Sequence, residues 1–294
     1  MSLLFVPGQR PQAAQVAALV AKLAAPGAVA GSAQLASGVN APAGASPPSP
    51  LHFTISHRPA GDEWLELLAS GMTYELTGLS PGRGNVLPAN AHFLGLDPAI
   101  ESSPLEAIGL HPGPHLAGGE GLLPVVRATA ALGAALAALP GVRAVSWHAA
   151  RSWVGAVYFV HAIDEWLGGG AFPALGLTAL VRGDDGSFTS EGLALLIGQE
   201  VRVEPGSALE ASRRPGAGRG GRSANPDGNA GASAGTSGNA GGEAASARLA
   251  LRAIHSLVLS GAVTAPVRLT GPDGEPLRAE PSADQRLVHV RREG

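Results

Sequence analysis

Between Val125 and Leu139 the chain is apolar on every side except at Arg127 and Thr129. A helix of that kind cannot lie on a surface. It has to be enclosed, and its alanines let it approach a sheet closely. Pro124 suits the first turn of such a helix and Pro140-Gly141 ends it. Any fold open to this chain must therefore cover the helix with more than one neighbouring element, and the next sixty or so residues are suited to do so.

Arg143 to Trp153 reads as a strand, with Val145, Trp147, Ala149 and Trp153 on one face and Ser146, His148 and Ser152 on the other. From Ala156 the period becomes helical, through Phe159, Val160, Ile163, Trp166 and Leu167, and Gly168-Gly169-Gly170 closes the run. Leu175–Arg182 and Phe188–Ile197 then flank the turn signal Gly183-Asp184-Asp185-Gly186, which predicts a hairpin with two apolar, covered arms. Gln199 to Glu204 alternates as a further strand. Helix, strand, helix and hairpin make an α+β fold: one mixed, mainly antiparallel sheet, with buried helices Val125–Leu139 and Ala156–Leu167 packed on one face.

The rest of the chain is arranged around that spine. Residues 1–25 are an N-terminal strand–helix segment (Leu3–Val6, then Gln12–Ala24), and 26–50 form a flexible Ala/Gly/Pro-rich loop. The α+β core spans 51–204. It opens with a strand at Leu51–His57, a short helix from Asp62 to Leu68 with acids in its first turn, and a strand at Met72–Leu76. Ser80 to Gly121 is a Pro/Gly-rich loop too long to be idle, so part of it is ordered by packing or carries function. Residues 205–243 lack periodicity and read as a disordered insertion. Residues 244–294 offer one helix with Leu249, Ala253 and Leu257 on a stripe, a hairpin about Gly271-Pro272-Asp273-Gly274, and a strand at Leu287–Val290. Some fifty residues of that kind struggle to bury a core alone, so they are expected to dock on the sheet of the core.

The Trp-bearing strand, the aromatic helix, and the run PALGLTAL, a DG turn and TSEGLALLIGQEVRV together resemble a bacterial family catalogued as domain of unknown function 4261. The matching residues are Asp185-Gly186, Thr189, Gly192-Leu193 and Gly198-Gln199-Glu200, and the resemblance covers Leu51 to Glu204. It implies no activity, because the family has none to carry over.

A net charge of −3 gives no case for nucleic acid or an anionic membrane as partner. The arginines at 213, 214, 219 and 222 read as part of a solubilising linker. The chain has no cysteine, which removes disulfides, thiolate metal sites and cysteine nucleophiles. The opening residues lack a basic stretch and a long apolar core, so a cytoplasmic, soluble protein is expected.

Candidate chemistry gathers at histidines. His111 and His115 bracket Pro-Gly-Pro, which forbids the helix on which two such histidines would share a face. They are metal candidates only if a turn supplies the geometry, and an exposed Pro-rich loop is the plainer reading. His148, Arg151 and Glu165 are the catalytic candidates. His148 lies between serines on its strand face, Arg151 needs a carboxylate such as Glu165, and no G-x-S-x-G elbow accompanies them. No cofactor is expected. With no coherent acid, base and nucleophile set, the reading is a non-enzymatic protein acting through contacts with another protein, in an accessory or immunity-type role. The alternative is a His- or metal-dependent hydrolase.

Overall fold

A computed structural model of the chain describes residues 1–24, 53–61, 63–205 and 237–293. The predicted loop at 26–50 and the insertion up to residue 236 lie outside the described residues. The fold is α+β, with two mixed, mostly antiparallel sheets. Contacts divide the chain into two units, one of residues 1–179 with 191–198 and the other of 180–190 with 199–294.

The first unit is built on an eight-stranded sheet. Its strands are β1 (Ser2–Phe5), β2 (Phe53–His57), β3 (Trp64–Ala69), β4 (Met72–Thr77), β5 (His92–Leu94), β6 (Glu106–Pro112), β7 (Val142–Trp147) and β8 (Ser152–Gly155). They run in the order β2-β3-β4-β6-β1-β7-β8-β5, antiparallel except for β5 on β8. Residues paired directly across strands point to the same side of a sheet. Leu65, Leu76, Leu110, Leu3, Val145 and Val154 therefore share one face, and all are fully buried. Helices α1 (Ala13–Ala24) and α2 (Pro98–Glu101) also belong to this unit. Two further helices, α3 (Leu123–Leu136) and α4 (Ala156–Leu167), cover the apolar face and each other. Gly133 lets α3 close on the Met1 side chain and Phe159, where a Cβ would stand 2.3 Å from the Met1 terminal methyl. The Tyr74 hydroxyl donates to the Val125 carbonyl at 3.5 Å. The enclosed helix foreseen in the sequence is thus sealed between the sheet and α4.

Three elements depart from the sequence reading. The helix expected at Asp62–Leu68 is strand β3, hairpinned to β4 through Ser70-Gly71, both at positive φ. That is the two-residue turn that suits the twist of paired strands, and pairing overrides the acidic first-turn signal. The Pro/Gly loop at 80–121 contains β6, a strand in the middle of the sheet. The strand expected at Arg143–Trp153 is two strands joined by a 3-10 turn at His148–Ala150, with Arg151 in the left-handed region at φ 46°. The turn breaks the alternation. Trp147 pairs with Ser152 and Trp153 with Ser146, so the two indoles lie on opposite faces.

The second unit carries a six-stranded sheet in the order β12-β13-β14-β11-β10-β9. Its strands are β9 (Ala179–Arg182), β10 (Phe188–Glu191), β11 (Glu200–Val203), β12 (Val267–Thr270), β13 (Pro276–Pro281) and β14 (Leu287–Arg292). The predicted hairpin is present but shorter. Leu175–Leu177 falls in a helical turn, α5 (Ala174–Leu177), and the second arm passes into α6 (Ala194–Ile197). The last helix, α7 (Ser237–Ser260), begins inside the predicted insertion and packs on β11. The C-terminal strands extend the hairpin's own sheet, with β14 parallel to β11, so two sheets replace the expected one. Gln199 ties the start of β11 to the C-terminal segment of this unit. Its amide donates to the carbonyls of Val263 and Gln285 at 3.0 and 2.9 Å and accepts from the Val263 N–H at 2.7 Å.

Candidate functional site: the polar face of the eight-stranded sheet

Pairing that sends the leucines to one side of the first sheet sends a polar row to the other. Across β3, β4, β6, β1, β7 and β8 it reads Trp64, Thr77, Gly109, Ser2, Ser146 and Trp153. One step along the strands, Glu66, Glu75 and His111 form a parallel row, and His148 follows Ser146 at the start of the 3-10 turn. Helices α3 and α4 do not reach this side.

At the centre of the row, Ser2 Oγ lies 2.9 Å from His148 Nε2, and the His148 and His111 rings stand 6.1 Å apart. Both imidazoles are held below the usual histidine range. Burial, then the nearby α-amino charge and His111, pushes His148 down to about 4, and burial first lowers His111 as well. Gly109 lies beside His111. A Cβ there would stand 2.4 Å from Asn85 Nδ2, 2.5 Å from His111 Nε2 and 3.0 Å from Thr77 Oγ1, so only glycine leaves room for this convergence. Asn85 donates from Nδ2 to Thr77 Oγ1 at 2.9 Å.

Toward β3 the face opens into a groove of about 330 Å³ lined by Glu63, Trp64, Glu75, Thr77, Gly78 and Arg83. His57 lies against the Trp64 ring at 5.4 Å. Toward β8 the face is covered instead. There Leu4, Leu105, Ala107, Ala144 and Trp153 cluster, with Leu96 and Ile100 packed on them.

The candidates from sequence are dispersed. His111 is a strand residue beside His148, while His115 turns to Thr73, 3.2 Å from its hydroxyl. The two metal candidates do not converge, and among the described residues no three His, Cys, Asp or Glu side chains form a metal-binding group. Arg151 is clamped on Glu191, which also accepts from His92 Nε2 at 2.8 Å. The Arg151 hydrogen bond, ahead of the His92 contact, holds the Glu191 carboxyl below its usual range. Glu165 is on the exposed side of α4, 3.5 Å from His161. It partners neither Arg151 nor His148, so the three catalytic candidates belong to three separate clusters. Ser2, Thr77, Asn85 and Glu75 were not foreseen. The alternation of β4 carries a signal for Thr77 and Glu75, and no local pattern marks Ser2 or Asn85.

No family model, curated protein or solved structure matches this chain. The geometry of the polar face is what a functional reading has to rest on. Hydroxyls, amides and neutral imidazoles line its centre, and ionic and aromatic groups line its groove. Such a surface binds through hydrogen bonds and stacking.

Proposed function

We propose that this is a non-enzymatic cytoplasmic protein that acts by holding a partner protein against the open polar face of its eight-stranded sheet. The resemblance to domain of unknown function 4261 belongs to the same reading. One observation carries it. Helices α3 and α4 pack on one side of the sheet, and the other side presents Trp64, Glu75, Thr77 and Arg83 around an open groove. An open face with aromatic and charged groups is suited to recognition, and among the described residues no acid, base and nucleophile set stands in the groove. In-cell photocrosslinking tests it, with the reactive residue at Thr77 or, as control, at Val157, which is 86% exposed on α4. A discrete protein captured from Thr77, absent from Val157 and lost on Trp64→Ala, supports the reading. Equal capture at both positions removes it.

A second reading, a His-dependent hydrolase, is favoured by the contact between Ser2 Oγ and His148 Nε2 at 2.9 Å. A neutral imidazole can accept the hydroxyl proton. A fluorophosphonate that labels Ser2 in the native protein, and fails to do so after His148→Gln, would establish it over the first.

A further inference from the structure

Two donors on the polar face have nothing to bond. Ser146 Oγ and Trp153 Nε1 are buried beyond the reach of water and make no hydrogen bond. Ser152 Oγ, on the opposite face of the same strand pair, and Glu275 Oε1, in the second unit, are also buried without a partner, but only Ser146 and Trp153 share a face. Ser146 and Trp153 are directly paired across β7 and β8, and Ser2, whose hydroxyl meets His148, is the next residue along the same row. Buried polar groups are nearly always satisfied, so two orphans side by side call for a cause.

The covering segment supplies it. Residues 85–105 run over this end of the row, with the Phe93 ring edge-on to Trp153 at 5.9 Å and Leu96 and Ile100 on the cluster around it. The attachment is light. Strand β5 pairs over three residues at the sheet edge, α2 buries no residue, and only Leu105, at the end of the segment, is buried in the cluster. Beyond that pairing the segment is held mainly by the Ala91 and His92 N–H groups on the Arg151 carbonyl, the His92–Glu191 pair, and Asn85 on Ala107 and Thr77. Edge elements with few buried residues open at low free energy, and here opening also hydrates two stranded donors.

We propose that residues 85–105 are a flap over a binding site for an apolar carboxylate. Its head group is taken by Ser146 Oγ and Trp153 Nε1 beside the Ser2–His148 pair, and its apolar part by the surface that Leu96 and Ile100 leave. The chemistry of the donors selects this class. An indole N–H can only donate, no carboxylate stands in the row at this end, and an anionic acceptor makes a stronger bond than a neutral one. The titratable groups facing the head group are His148 and, behind it, His111, with the buried Met1 α-amino group acting on both. An anion there favours their protonated forms, so binding takes up protons and tightens as the pH falls. This site is separate from the open groove and does not depend on the partner reading.

The probe is benzoate, with benzyl alcohol as its neutral counterpart, followed by NMR of the four indole N–H signals. The signal lost in Trp153→Phe identifies Trp153. Benzoate should move that signal saturably, benzyl alcohol should not, and Ser146→Ala should weaken the effect about tenfold or more. Amide exchange in the free protein should be faster over residues 92–101 than over β6, and benzoate should slow it. The proposal falls if benzoate leaves the Trp153 signal unmoved, if benzyl alcohol moves it equally, or if the flap exchanges as slowly as β6.

Discussion

Replacing Ser146 by alanine should make the protein more stable, although it deletes a polar group from the middle of a strand. Ser146 is 0% exposed and its hydroxyl has no partner. Taking an unsatisfied hydroxyl out of water costs about 1–3 kcal/mol, and this penalty disappears with the oxygen. The methyl that remains still packs between Ser2 and Trp153, so little cavity is left, and the small loss of contact offsets part of the gain. The expected net change is a stabilisation of about 1 kcal/mol. Ser190→Ala is the control. That hydroxyl is also buried, but it donates to Glu200 and accepts from the Val201 N–H at 2.8 Å, so its loss strands a backbone donor. It should destabilise by about 1–3 kcal/mol. Urea melts of the two variants, with unchanged slopes, read the comparison directly. If Ser146→Ala destabilises as much as Ser190→Ala, the Ser146 hydroxyl is satisfied in solution and the argument for a strained, openable flap fails with it.

Other perturbations probe the frame that holds the site. At Gly155 a Cβ would stand 2.1 Å from the Gly95 carbonyl oxygen, a backbone atom that cannot swing aside, so Gly155→Ala should cost about 1–3 kcal/mol or more and detach β5 first, seen as faster amide exchange at 92–94. Gln199→Leu keeps the volume but strands one N–H and two carbonyls, and thermal melts should show a loss of about 3 kcal/mol or more. The histidines set a pH dependence. His148 and His111 titrate below the ordinary histidine value near 6.5 in the folded protein, so between about pH 6.5 and 4 the unfolded chain takes up protons that the folded chain does not. Burial lowers the Met1 α-amino group from 8.0 to about 5 in the same way. Stability should therefore be complete only above about pH 8 and fall on acidification from there, with the histidines steepening the fall below about pH 6.5. His111→Gln with His148→Gln should lessen, without abolishing, the fall measured by urea melts between pH 6.5 and 5, which lies above the carboxylate range.

What the sequence disclosed follows from the range of the interactions involved. Helix α4 falls at Ala156–Leu167, the residues that the helical period marks out, because its pattern and its glycine stop are local. The enclosed helix was equally plain, since a segment without a polar side has one fate. Strand β6 was hidden. Glu106–Pro112 is short, flanked by prolines and glycines, and stable only because β1 pairs with it from about a hundred residues away in sequence and β4 from about thirty-five. Strand β3 was mistaken for a helix because Leu65, Leu67 and Ala69 alternate beneath an acidic pattern that suits either state, and the Ser70-Gly71 turn decides it. His111 illustrates the consequence for the site. As a loop residue it invited pairing with His115, whereas as a strand residue it is delivered to His148 and Gly109.

The position of His148 follows from the same kind of break. Period two carried through Arg143–Trp153 puts both tryptophans in the core and leaves His148 among serines on a bland half-buried face. The 3-10 turn inverts the parity, so Trp147 stays beneath α4 while Trp153 joins the polar row. That inversion requires Arg151 at positive φ, an arrangement that costs an arginine about 1 kcal/mol or more, and the side chain is then fastened by Glu191. Glu191 is also the anchor of His92 and hence of the flap. One carboxylate thus steadies the strained turn that presents His148 and Trp153 and the segment that covers them. Glu191→Gln weakens both attachments at once, so it should loosen the cover over the row while leaving the leucine face of the sheet, and the helices on it, intact.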